Sequence, residues 1–307
     1  MSLSLIDGEE FLRRIPIPVA IAVLQRAFER PPPPGLPQRT GVEVPGGELL
    51  LMPAAGPTGV GVKLVTLAPS NPGRGLPFVQ ASYVLFEPNT LSPEAIIDGT
   101  TLTTVRTAAV SGLATRLLAL PDATRLVLFG AGVMATAHLE AMLAVRPFRS
   151  LRVVSRSSGP AEELAARARE SGLDAAVAGP DAVTEADVIC TCTTSPRPVF
   201  DGRLVPKGAH VNAIGSYQPE TRELDDETIR RARVVVETRE AALAEAGDLL
   251  IPISAGVIGP EHIESDLSEL VRGAKVRRGP EDVTVFKSVG IAWEDLAVAR
   301  AVVDAGP

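Results

Sequence analysis

Residues 125–135 read Arg-Leu-Val-Leu-Phe-Gly-Ala-Gly-Val-Met-Ala, and this stretch decides the fold. Leu126–Phe129 is a short apolar run of strand type, and the turn Gly130-Ala131-Gly132 follows it directly. Gly130 permits the tight turn, Gly132 lets the main chain approach a pyrophosphate, and Ala135 is small enough for close helix–strand packing. From Val133 to Val145 the apolar residues recur at helical spacing, so the turn opens a helix. Its first N–H groups and partial positive charge suit a phosphate. A glycine turn alone is weak evidence, because such turns also occur as plain structure. The strand before it, the helix after it and the units beyond it carry the argument for a bound dinucleotide.

Downstream the same rhythm repeats. Leu151–Val154 reads as a strand, Ala161–Glu170 as a helix, and Asp187–Thr193, His210–Ile214 and Val234–Thr238 as further strands. A helix near Asp225–Arg231 separates the last two. Strands alternating with helices in this way predict a parallel sheet, hence an α/β fold of Rossmann type. Upstream, the chain is broken by Pro31–Pro34, Pro45-Gly46-Gly47 and Asn71-Pro72-Gly73. The apolar runs Leu49–Met52, Val60–Leu67 and Val79–Phe86 between those breaks predict a small mixed or antiparallel sheet. Thr104–Leu120 then reads as a helix ended by Pro121, and Ile291–Val303 as a final Ala-rich helix.

Composition narrows the partners. The 307 residues carry 30 basic and 37 acidic side chains, a net charge of −7, which argues against a nucleic-acid or anionic membrane surface. No apolar run is long enough to span a bilayer, and no basic-then-apolar start of signal type is present. Cys190 and Cys192 lie two apart on one strand, too close for an ordinary bridge and without metal-ligand partners. They read as small core residues in a reducing compartment, and a cytoplasmic protein is expected. His138, His210 and His262 are not spaced for a metal, and no metal site is expected.

The end of the second β/α strand reads Ser155-Arg156-Ser157, where an enzyme using NAD usually has Asp or Glu for the ribose hydroxyls. A guanidinium flanked by hydroxyls suits a 2′-phosphate, so NADP(H) is favoured, with NAD(H) left open. Three further cations lie in the N-terminal part. Arg39 precedes a strand, Lys63 interrupts the apolar run Val60–Leu67, and Arg106 is placed at the start of a helix. Each alone has a bland reading: a surface charge, an edge residue that snorkels, an ion-pair partner at a helix start. Together, two arginines and a lysine beside a nicotinamide could hold a carboxylate and deliver a proton.

Taken in order, Arg39-Thr40, Leu51-Met52-Pro53-Ala54, Val62-Lys63-Leu64-Val65, Asp98-Gly99 and Thr103-Thr104-Val105-Arg106-Thr107-Ala108-Ala109 resemble the ornithine cyclodeaminase/mu-crystallin family. So do Gly130-Ala131-Gly132, Asn212-Ala213-Ile214-Gly215 and Val285-Phe286-Lys287-Ser288-Val289-Gly290. The resemblance runs from about Arg39 to Glu294. It implies a homodimer with two domains: residues 1–118 with the C-terminal helix 291–307 for substrate and dimerisation, and a Rossmann domain over 119–290. It also implies bound NAD(H) or NADP(H), and chemistry at the α-carbon of a small amino or imino acid.

By position in that resemblance, Arg39 and Arg106 would grip the substrate carboxylate and Lys63 would be the acid/base. Gly130, Gly132, Val133 and Met134 would meet the pyrophosphate. Thr193, Ile214, Gly215, Ser216 and Ser288 would line the ribose and nicotinamide, with Val289 facing substrate and Arg106 also near the cofactor. Members that cyclise ornithine carry an Asp where this chain has Tyr217, and an acid where it has Leu50. An ammonium set against Leu and Tyr would be desolvated without a counter-charge, at a cost of order several kcal/mol. The ketimine-reductase branch is therefore expected, with ornithine cyclodeamination and non-catalytic ligand binding as alternatives.

Overall fold

The computed structural model describes residues 3–33, 35–56 and 58–306, and these divide into two compact units. The first holds the chain up to Arg106 together with the segment from Ile291 onward, and the second runs from Thr107 to Gly290. The division falls within one long helix, Gly99–Leu118, and not at its C-terminal end.

The first unit is a six-stranded mixed sheet. Its strands are β1 (Ser4–Ile6), β2 (Thr40–Val44), β3 (Gly47–Gly56), β4 (Gly59–Leu67), β5 (Val79–Phe86) and β6 (Pro93–Asp98), in the order β1-β6-β5-β4-β3-β2. Only the β1–β6 pairing is parallel. Two helices precede the long β-hairpins: α1 (Gly8–Arg14), capped by Asp7, and α2 (Ile17–Phe28), opened by Pro16 and Pro18. The proline-broken look of this region conceals both. The helix α3 (Gly99–Leu118) begins a turn and more before the expected Thr104, because Asp98 accepts from the N–H of Thr101. Arg106 is thus well inside the helix, a correction to its placement at the helix start.

Strand alternation gives this sheet two different faces. Met52, Lys63, Tyr83 and Ile97 pair across β3, β4, β5 and β6 on the buried face. On the other face Leu51, Leu64, Pro53, Val62, Val84 and Ile96 are half-buried. The C-terminal helix of the chain packs on β3, β4, β5 and α2.

The second unit is an eight-stranded parallel sheet. In chain order its elements are β7 (Arg125–Phe129), α4 (Val133–Leu143), β8 (Ser150–Val154), α5 (Ser158–Glu170), β9 (Asp174–Val177), β10 (Val188–Thr191), β11 (His210–Ala213), α6 (Asp226–Arg231), β12 (Ala232–Val236), α7 (Arg239–Glu245), α8 (Gly247–Ser254), β13 (Ile263–Asp266), α9 (Leu267–Val271) and β14 (Val283–Lys287). The order across the sheet is β13-β12-β14-β11-β10-β7-β8-β9. Every strand named in the sequence reading of this region is present, most of them shifted by one or two residues at an end. Strand β14 inserts between β11 and β12, although it follows both in the chain.

Valine is the commonest residue of these strands, and in β7, β10, β11, β12 and β14 both faces are largely covered, which leaves little alternation to read. The buried histidines His138 and His210 are satisfied within the unit. His138 meets Ser111 at 3.0 Å and the carbonyl of Met134 at 2.7 Å, and burial pushes its ring down to about 4, so it stays neutral. His210 lies between Thr284 and Asn212, whose amide donates to Thr115 at 2.8 Å. The cysteines are both free thiols, and Cys190 is fully buried. After α9 the chain returns through β14 and ends in α10 (Ala292–Asp304), the helix that covers the first unit's sheet.

Candidate active site

In the first unit the sequence sets Lys63 in the middle of β4, flanked by apolar neighbours that hold its side chain on the buried face. The side chain is 1% exposed, so it is neither an edge residue nor a snorkelling one. Its Nζ lies 2.8 Å from Oδ2 of Asp295, which is wholly buried in the first turn of α10. The other oxygen of that carboxylate accepts from Nε of Arg106 at 3.1 Å. Nη1 of Arg106 donates to Glu294 at 3.0 Å. One carboxylate therefore joins two of the three cations singled out in the sequence.

Arg39 is half-buried just ahead of β2, close enough for its charge to act on Lys63. Burial brings the Lys63 ammonium down from the usual lysine range to about 8. Asp295 opposes that fall by its charge and hydrogen bond, while Arg106 and then Arg39 add to it. Tyr83, opposite Lys63 in the β4–β5 ladder, is buried too. Its hydroxyl lies where a Cβ on Gly61 would fall only 2.2 Å away, so Gly61 makes room for it. Burial, and then the charge of Asp295, hold that phenol well above the usual tyrosine range.

Glu294 and Asp295 escaped the sequence reading. Two acids in the first turn of a helix look like an ordinary complement to its dipole. The available signal was that both interrupt an otherwise apolar segment, Ile291–Val298, as Lys63 does in β4.

In the second unit the strand order reverses beside β7, whose neighbours are β10 on one side and β8 on the other. Nucleotides bind at such switch points, off the carboxyl ends of the strands. Gly130 has φ of +106°, and a Cβ there would lie 2.5 Å from the carbonyl oxygen of Cys192, which follows β10. Gly132 caps α4 with no side-chain hydrogen bond, and a Cβ there would meet nothing within 4 Å. Val133 is exposed and Met134 half-buried at the same end. A helix start without a side-chain cap and with open space at Gly132, behind a glycine turn of fixed shape, fits a pyrophosphate.

Buried carboxylates hold the neighbouring loops. Glu223 accepts from the N–H and hydroxyl of Thr193 at 2.7 and 2.6 Å, from Thr191 at 2.7 Å and from the N–H of Gly215 at 2.6 Å. Gly215 has no room for a side chain, since a Cβ would fall 2.0 Å from the Thr193 carbonyl. Glu237 accepts from the Ser288 hydroxyl at 2.6 Å and the Val289 N–H at 2.9 Å. Lys287 pairs with Asp248 at 2.9 Å and donates to the Ser216 carbonyl at 2.5 Å, while the Ser216 hydroxyl reaches Thr221. Ile214 is buried beside them. The expected cofactor residues Thr193, Ile214, Gly215, Ser216 and Ser288, with Val289, thus lie at the ends of β10, β11 and β14 on a shared scaffold. None of its acids had been singled out beforehand.

Ser155, Arg156 and Ser157 follow β8, with Arg156 exposed and the N–H of Ser157 bonded to the Ser155 hydroxyl. Tyr217 packs on the hydrophobic core of this unit, and Leu50 is buried in β3. No cluster of three or more metal-ligating side chains occurs among the described residues. No described helix is long and apolar enough to cross a membrane.

The profile of the ornithine cyclodeaminase/mu-crystallin family matches residues 24–306. Ketimine reductase mu-crystallin of Mus musculus is 39% identical over 283 residues, which is 90% of this chain and 88% of that one. Among solved structures, Δ1-pyrroline-2-carboxylate reductase of Thermococcus litoralis in complex with NADH and L-proline superposes with a TM-score of 0.93 at 33% identity. That match covers 99% of this chain and 97% of the other. An archaeal alanine dehydrogenase dimer with bound NAD gives a TM-score of 0.92 at 31% identity, covering 99% and 96%.

Proposed function

The chain belongs to the ornithine cyclodeaminase/mu-crystallin family, and on that footing we propose that it reduces the C=N bond of cyclic imino acids with NAD(P)H. The observation that carries this reading is the buried Lys63, paired to the same carboxylate as Arg106. Binding a small carboxylate needs arginines but no proton donor, so a buried lysine argues for chemistry and against a ligand-binding protein.

Bound NAD(P)H would supply the hydride. Gly130, Gly132, Val133 and Met134 would hold its pyrophosphate, and the loops fixed by Glu223 and Glu237 its ribose and nicotinamide. Arg39 and Arg106 bind the substrate carboxylate and fix the orientation of the imine carbon. Lys63, as ammonium, gives its proton to the imine nitrogen as the amine forms. With Nε and Nη1 of Arg106 directed at Asp295 and Glu294, its guanidinium plane is set before substrate arrives. In the reverse direction neutral Lys63 takes the proton back from the amine.

Ornithine fits less well. A distal ammonium needs a counter-charge, and neither Leu50 nor Tyr217 supplies one, while Asp295 and Glu294 are engaged with Lys63 and Arg106. For the cofactor, Arg156 between two serines supports NADPH over NADH. The half-buried apolar sheet face of the first unit, with Val62 and Leu64 at its centre, supports a homodimer, as does the dimeric state of the alanine dehydrogenase relative. The test is NADPH and NADH consumption with a panel of cyclic imino acids, beside an assay for ammonia released from ornithine. Consumption with a cyclic imine is expected. Ammonia from ornithine without net cofactor change would replace this reading with cyclodeamination.

A further inference from the structure

Asp295 stands in the first turn of α10, where an acid normally serves its own helix N-terminus. Its carboxylate does something else. Both oxygens point to cations on other elements, Oδ2 to Lys63 on β4 and Oδ1 to Arg106 on α3. The side chain is wholly buried, so it cannot swing out to water. The groups that face Lys63 are Asp295 from α10, Arg106 from α3, Arg39 ahead of β2 and the Tyr83 phenol from β5. Of these only Asp295 favours the ammonium. The two arginines repel it, and the phenol is held neutral.

We propose that Asp295 is a positioning residue for Lys63, keeping its ammonium charged and aimed while tying it to Arg106 through one carboxylate. A buried amine among two guanidinium groups would otherwise be neutral at physiological pH and could not protonate an imine nitrogen. Because the same carboxylate bonds Nε of Arg106, the proton donor and one of the proposed carboxylate-binding groups move together. The lowered but still near-neutral value of about 8 for Lys63 is the balance that this arrangement leaves. What the proton is used for rests on the imine-reductase reading; the role of Asp295 toward Lys63 does not.

The chain has four lysines, which makes a direct test practical. Full-length protein labelled with 13C and 15N at lysine is titrated by NMR as wild type, Asp295→Asn and Asp295→Glu, with Lys63→Met to assign the signal. Wild-type Lys63 is expected to titrate near 8. In Asp295→Asn the midpoint should move roughly one to three pH units lower, and in Asp295→Glu it should return toward the wild-type value. A midpoint unchanged in Asp295→Asn overturns the proposal.

Turnover gives a second arm. The alkaline limb of kcat against pH should shift down with the midpoint in Asp295→Asn, with cofactor affinity unchanged and recovery in Asp295→Glu. A uniform loss at every pH, or no recovery, would mark a merely structural role and overturn the proposal. If Asp295→Asn does not melt cooperatively, Asp295→Glu decides alone. There a Lys63 midpoint and an alkaline limb of kcat that both stay near those of wild type support the proposal, and a midpoint moved by roughly a pH unit or more although a carboxylate is retained overturns it. Should the wild type reduce no imine, the reductase reading fails while the NMR titration still decides the role of Asp295.

Discussion

Lys63 and Asp295 form an ion pair of 2.8 Å with both side chains sealed from solvent, although they lie 232 positions apart in the chain. Burying two charges costs several kcal/mol per ion before their attraction is counted. Packing alone would have favoured two apolar residues here. The proposed proton transfer by Lys63 accounts for the pair, and it leads to the first prediction.

Lys63→Met should reduce turnover by at least about a hundredfold, the usual contribution of a general acid. Asp295 would keep Arg106 as a partner, so the variant should fold. Cofactor affinity, measured by fluorescence titration, should stay within about twofold, since the residues expected to hold the cofactor belong almost wholly to the other compact unit.

The pH dependence follows from the same group. In the proposed mechanism reduction needs the protonated lysine, so kcat should be flat below the Lys63 value of about 8 and fall tenfold per pH unit above it. Oxidation of the amino acid needs the neutral form, and its rate should rise through the same pH. Initial rates in both directions across that range check the sign.

Arg156→Ala should weaken NADPH and leave NADH alone. A lost charge-assisted contact to a phosphate is worth roughly 1.5–3 kcal/mol, which corresponds to about a ten- to hundredfold rise in KM for NADPH. Equal effects on both cofactors would assign Arg156 to the surface, where its exposure also puts it.

Val62→Glu tests the apolar sheet face. Val62 sits between Pro53 and Val84 on the half-buried side of β4, with its back to the Lys63 face. A carboxylate there should convert a dimer to monomers in light scattering, without changing the Lys63 environment on the opposite side of the sheet.

Much of this was legible in the sequence, for identifiable reasons. The β7–α4 turn was readable because a pyrophosphate site needs glycines at fixed positions, and Gly130 has the positive φ that such a turn requires. Lys63 was readable because a charge inside an apolar strand is anomalous by itself. The acids were not readable. Glu294 and Asp295 match a common helix-start pattern, Glu223 lies among polar residues where an acid attracts no notice, and Glu237 comes directly after Val234–Val236, where it reads as the polar end of a strand. Their roles depend on contacts across the fold that no local spacing encodes. The helix α2 was hidden by its prolines, which in fact sit in its opening turn, where they are tolerated. The position of β14 between β11 and β12 is likewise set by the sheet as a whole, since nothing in Val283–Lys287 specifies its neighbours.

The measurement that bears most directly on the central claim uses reduced cofactor carrying deuterium at nicotinamide C4, a cyclic imino acid and the purified protein. The account predicts one deuterium on the α-carbon of the product amino acid for each cofactor oxidised, and none from Lys63→Met. Unlabelled product, or ammonia from ornithine with the cofactor unchanged, would contradict it.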